Sequence, residues 1–81
     1  MSGRKTVTHL RRGVAARVVG YASDLIPIKI YEMGLLPGVV VIKQQQLPFN
    51  GPIRLKLEGN PNAIALRASE ARLILIEENL K

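Results

Sequence analysis

Eight residues, Tyr31-Glu32-Met33-Gly34-Leu35-Leu36-Pro37-Gly38, lead directly into the β-branched run Val39-Val40-Val41-Ile42. A helix ending here has to turn at once into a strand. Gly34 supplies the stop, because a residue without Cβ takes positive φ just past a helix at little steric cost. Pro37 presets φ for the first central position of a turn, and Gly38 at the second permits type II. Upstream, Ser23 or Asp24 is predicted to N-cap a helix over about residues 24–33, with Pro27 tolerated in its first turn. Ile26, Ile30 and Met33 fall at i, i+4 and i+7, giving one apolar stripe. A helix this short is marginal alone and needs a sheet to pack on.

The strands for that sheet follow from alternation and turn residues. Leu10-Arg11-Arg12-Gly13 reads as a turn into a first strand from Val14 to Tyr21, and a second strand runs from Val39 to Leu47. Pro48-Phe49-Asn50-Gly51 closes a hairpin, with Asn50-Gly51 expected to provide the positive φ such turns need. Ile53, Leu55 and Leu57 then alternate with Arg54, Lys56 and Glu58, the pattern of a half-buried strand with one wet face. Beyond Gly59-Asn60-Pro61-Asn62, residues Ala63 to Arg67 form a short strand. Ala68 to Ala71 make a single helical turn, and Leu73 to Ile76 form the last strand before a polar tail. The prediction is a mainly β domain: a small closed or nearly closed barrel of about five strands, with one short α-helix inserted after the first. Closure also removes exposed sheet edges. Residues 1–9 read as a flexible N-terminal lead-in, and residues 10–78 as the single domain.

Composition agrees with one small domain. The chain has 81 residues, 47% of them apolar, and its only aromatics are Tyr21, Tyr31 and Phe49, so the core has to be aliphatic. Without cysteine there is no disulfide framework and no thiolate metal site. The basic N-terminus is not followed by an apolar stretch of signal-peptide length, and no apolar run exceeds four residues. A cytoplasmic protein is expected. The net charge of +6 raises the question of nucleic acid, but beyond Arg4, Lys5, Arg11 and Arg12 the cations are spaced singly. Arg17, Lys29, Lys43, Arg54, Lys56, Arg67, Arg72 and Lys81 read as solvated positions, and no nucleic-acid partner is expected.

Four segments together resemble a known family. The opening Leu10-Arg11-Arg12-Gly13-Val14-Ala15-Ala16-Arg17-Val18 is similar to a Leu-x-x-Gly-x-x-Ala-x-Val pattern. Met33-Gly34-Leu35-Leu36-Pro37-Gly38 resembles a Met-Gly-Leu-x-Pro-Gly signature. Pro48 to Ile53 resembles a Pro-x-x-Asp-Pro-Ile hairpin, with Asn50-Gly51 where that hairpin carries its acid. Ala65-Leu66-Arg67-Ala68-Ser69-Glu70-Ala71 resembles an Ala-Leu-Arg-x-x-Glu-Ala closing segment. In this order and spacing, over about residues 9–77, the chain resembles the FeoA family of bacterial ferrous iron transport. The turn Gly59-Asn60-Pro61-Asn62 is longer than the family's usual glycine-centred version. The resemblance implies an SH3-like barrel with a short helical insertion. It also implies a cytoplasmic accessory protein working with FeoB, a membrane protein with a cytoplasmic GTP-binding domain, and so a location at the inner face of the membrane through that partner. The fold is shared with the C-terminal domain of iron-dependent repressors of the DtxR type, which makes a metal-responsive or nucleic-acid-binding module the alternative reading.

The side chains themselves offer little chemistry. One histidine, no cysteine and no paired carboxylates argue against an enzyme, and no phosphate-binding glycine loop is present. Candidate metal ligands are His9, Glu32, Glu58, Glu70 and the pair Asn60 and Asn62. They do not assemble into the three or four convergent donors a transition metal needs, which leaves room only for a weak or shared site and no expected cofactor. The stronger signal is apolar. Leu35 and Leu36 occupy a turn where polar residues are usual, and Tyr31 precedes them. Tyr31, Leu35 and Leu36 are therefore the candidate partner contacts, with Gly34, Pro37 and Gly38 shaping the backbone. For Met33 and Leu35 the favoured role is to plug one end of the barrel, which leaves Tyr31 and Leu36 as the candidates for exposure.

Overall fold

A computed structural model describes residues 5–78. The strands are β1 (Ala15–Tyr21), β2 (Val40–Gln46), β3 (Ile53–Leu57), β4 (Ala63–Leu66) and β5 (Ile74–Glu77). Helix α1 (Ile28–Glu32) joins β1 to β2, and the single turn α2 (Ala68–Ala71) joins β4 to β5. All five strands form one sheet in the order β4-β3-β2-β1-β5, each neighbouring pair antiparallel. The mainly β, SH3-like architecture with one inserted helix is thus the observed one. Full hydrogen-bonded closure is not: among the described residues no ladder joins β4 to β5. The free edge of β5 is instead occupied by the N-terminal segment, where Thr6 bridges Leu75 and the Ile76 N–H donates to the Lys5 carbonyl.

That pairing also shortens the expected lead-in. Residues 7–9 form a short 3-10 turn, and Val7 is fully buried in the core. Residues 5–9 therefore pack with the domain, while residues 1–4 lie outside the described ones. The core is aliphatic: Leu10, Val18, Ile30, Leu35, Val41, Leu55, Leu66 and Ile74 all lose essentially their whole surface. Alternation in β3 is complete, with Ile53, Leu55 and Leu57 buried and Arg54 and Lys56 exposed.

Two β-bulges change which side chains face inward. In β1 the register shifts between Val18 and Gly20, leaving Val19 unpaired and turning Tyr21 onto the core side. In β2 it shifts between Lys43 and Gln45, which brings Gln46 opposite the buried Ile53. Lys43 itself corrects the reading as a solvated cation. It is only 9% exposed, and its Nζ donates to the Leu10 carbonyl at 2.9 Å and to Gln46 Oε1 at 3.1 Å. A buried ammonium needs such acceptors, and the bulge supplies one of them.

Two local expectations are also corrected. Helix α1 starts at Ile28 with Pro27 as its N-cap, not at Ser23 or Asp24. Ser23 Oγ accepts the Leu25 N–H in a local turn, and the residue before a proline is disfavoured from helical ψ. In the β2–β3 hairpin, positive φ falls on Phe49 (60°) and Asn50 (57°), one residue earlier than expected. Gly51 serves a different need: a Cβ there would lie 2.8 Å from the Leu47 Cβ.

Candidate partner-docking site

Helix α1 ends as its sequence requires. With Met33 as C-cap, the Gly34 N–H donates to the Tyr31 carbonyl and the Leu35 N–H to the Ile30 carbonyl, the paired bonds of a Schellman motif. Gly34 takes φ 91°. Leu35 and Ile30, the two residues whose apolar contact usually accompanies this motif, are both fully buried. The chain then turns again. The Val39 N–H donates to the Leu36 carbonyl across Pro37 and Gly38, with Gly38 at φ 98°, as a type II turn demands. The Gly38 N–H donates to the Val18 carbonyl at 2.7 Å and the Val18 N–H to the Val39 carbonyl at 2.8 Å, so the turn is riveted to β1.

Tyr21, brought inward by the β1 bulge, completes the framework. Its hydroxyl donates to the Leu35 carbonyl at 2.7 Å, and its ring meets that of Tyr31 edge-on at 5.5 Å between centroids. Burial pushes the Tyr21 phenol above its ordinary pKa, with the neighbouring Tyr31 adding to the effect. From the other side, Lys29 Nζ lies 2.6 Å from Glu70 Oε2, joining α1 to α2. Glu70 Oε1 also accepts the Arg67 N–H at 2.9 Å. The hydrogen bond from Lys29 is the main reason the Glu70 carboxyl stays below its usual range, outweighing the opposing effect of burial.

What this scaffold presents outward is apolar. Leu25 is 86% exposed, Ile28 72%, Leu36 45% and Tyr31 42%. Ile28 and Tyr31 lie three apart on α1, so they are neighbours on its outer surface. The candidate set is therefore split. Tyr31 and Leu36 are exposed, whereas Leu35 is fully buried: it leaves the set of contact residues and takes the core role favoured for it. Gly34, Pro37 and Gly38 occupy the turns that set the relative placement of Tyr31 and Leu36. Sequence reasoning missed Leu25 and Ile28. The available signal was that both are apolar yet fall off the Ile26–Ile30–Met33 stripe, whose members do pack on the core.

The candidate ligands for metal do not converge. His9 Nδ1 accepts the Thr6 N–H at 3.1 Å, Asn60 Oδ1 accepts the Asn62 N–H at 3.0 Å, and Glu70 is held by Lys29. Glu32 and Glu58 are exposed on separate elements. Among the described residues no three His, Cys, Asp or Glu side chains group together. Nor is any helix among them long and apolar enough to cross a membrane.

Comparison with known proteins places this geometry. A family model described as the FeoA domain matches residues 5–78. Among solved structures, a FeoA-like protein from Clostridium acetobutylicum superposes with a TM-score of 0.82 at 28% identity, covering 100% of this chain and 93% of that one. Iron(II) transport protein A from Clostridium thermocellum superposes with a TM-score of 0.80 at 30% identity, covering 91% of this chain and 45% of that one. No curated protein matches the chain in a sequence search.

Proposed function

The chain belongs to the FeoA domain family, and from that membership we propose that it serves ferrous iron transport as a non-catalytic accessory protein docking on FeoB. The contact surface is the outer face of α1 and the turn after it: Leu25, Ile28, Tyr31 and Leu36. FeoB is met on its cytoplasmic side. The observation that carries this reading is the pairing of exposure with rigidity. An apolar face this exposed is costly in water unless something covers it, and such faces mark interaction sites. Here it stands on a turn fixed by Tyr21, by the Schellman motif and by the Lys29–Glu70 pair. A face held in one shape loses little conformational entropy on binding.

Co-purification with FeoB from solubilised membranes tests the proposal. Ile28→Asp and Leu36→Asp should each reduce the recovered accessory chain by about tenfold, the effect of roughly 1.4 kcal/mol at an interface. Recovery equal to that of the unaltered chain would remove this face as the contact.

A further inference from the structure

Strand β4 is the open edge of the sheet: among the described residues its only backbone partner is β3. The register says which groups are free. The Glu58 N–H donates to the Val40 carbonyl and the Leu47 N–H to the Pro52 carbonyl, so the even-numbered residues of β3 turn their backbone toward β2. Odd-numbered residues then bond to β4, through the pairs Leu55↔Ile64 and Ile53↔Leu66. The N–H and C=O groups of Ala63 and Ala65 consequently point away from the sheet, unpaired. Beside them lies a recess of about 220 Å³, lined in part by Leu47, Pro52, Arg54, Ala63 and Ala65. Exposed edges are commonly guarded by charged or bulky side chains on the edge itself. Here both edge positions carry alanine. The cations Arg54 and Lys56 stand one strand further in, directly across from Ala65 and Ala63. Neither has an acidic group within ion-pair distance among the described residues.

We propose that β4 accepts an extended acidic segment of a partner protein as an added strand. The segment's backbone pairs with Ala63 and Ala65, an apolar side chain enters the recess, and its carboxylates face Arg54 and Lys56. A second copy of this chain is a poor occupant. The chain carries a net charge of +6, and pairing β4 with β4 would gather Arg54 and Lys56 of both copies without an acid between them. This surface shares no residue with the α1 face, so either proposal can fail without the other.

The test is an amide-resolved NMR titration of the full chain with two blocked pentapeptides, Glu-Thr-Val-Thr-Glu and Lys-Thr-Val-Thr-Lys, which as strands carry the valine and both charges on one face. The acidic peptide should give saturable shifts centred on β3 and β4, and the basic peptide none. Arg54→Gln should weaken the acidic peptide about tenfold, as loss of one facing charge does, and Arg54→Glu, which reverses that charge, should weaken it further. Ala65→Pro, which removes an outward donor without touching the β3 ladder, should abolish binding while amide dispersion elsewhere persists. Equal response to both peptides, shifts centred on α1, absence of saturation, or unchanged binding by Arg54→Glu would each overturn the proposal.

Discussion

Leu35 and Leu36 are adjacent, chemically identical and assigned opposite work. The first is fully buried in the core and the second is 45% exposed. Leu35→Ala should cost about 2–5 kcal/mol through lost burial and the cavity left behind. Leu36→Asp should stay within about 0.5 kcal/mol of the unaltered chain, because a solvated position tolerates the charge. Urea unfolding of both variants measures the split, and comparable losses would contradict the assignment. Between them and β2, Gly38 has open space where a Cβ would go, so its glycine answers to φ alone. Gly38→Ala should therefore cost about 1–2 kcal/mol of backbone strain, with Gly38→Asn recovering part of it. Equal stability of the alanine variant would mean that the turn relaxes. At this scale the turn glycines were readable in advance because φ requirements are local. The split between the two neighbouring leucines was anticipated as well, Leu35 filling the core and Leu36 exposed, and the Schellman turn that carries the Leu35 N–H to the Ile30 carbonyl is what fixes it.

The elements were legible where one residue type dominates. All five strands fall where alternation and turn residues put them, to within a residue or two at their ends. The exceptions are positions where two local rules compete. Pro27 sets the start of α1 against the capping tendency of Ser23, and proline prevails. The bulges at Val19 and Gln44 left no pattern to read, yet they place Tyr21 against Tyr31 and the Leu35 carbonyl, and Gln46 beside Lys43. Helices α1 and α2 are joined by the Lys29–Glu70 pair, whose carboxyl side is largely buried. Because the Glu70 pKa is lowered in the folded chain, the stabilisation is fully present above the ordinary carboxyl value of 4.5. It is lost as pH falls through the folded value. Glu70→Gln should thus destabilise by about 1 kcal/mol at neutral pH, with the gap to the unaltered chain closing in acid. A gap independent of pH would show that the carboxylate charge plays no part.

Over the whole molecule, the sheet separates two surfaces. The apolar α1 face sits at the connection between β1 and β2, and the cationic open edge lies at β4. The general architecture was accessible from strand count and turn spacing. The role of residues 5–9 was not, because a polar, basic segment gives no hint that Thr6 will pair with Leu75 and spare β5 an open edge. The proposed docking face was half visible. Tyr31 and Leu36 stood out as apolar residues near a turn, whereas Leu25 and Ile28 had to be seen exposed before they joined them. The measurement that bears most directly on the central claim is hydrogen–deuterium exchange of the chain alone and bound to detergent-solubilised FeoB. Protection is predicted over residues 25–38, with Ile28→Asp and Leu36→Asp each requiring about tenfold more FeoB to reach the same protection. Protection confined to β3 and β4, or none at a FeoB concentration that retains the chain, would contradict the assignment of the α1 face as the contact.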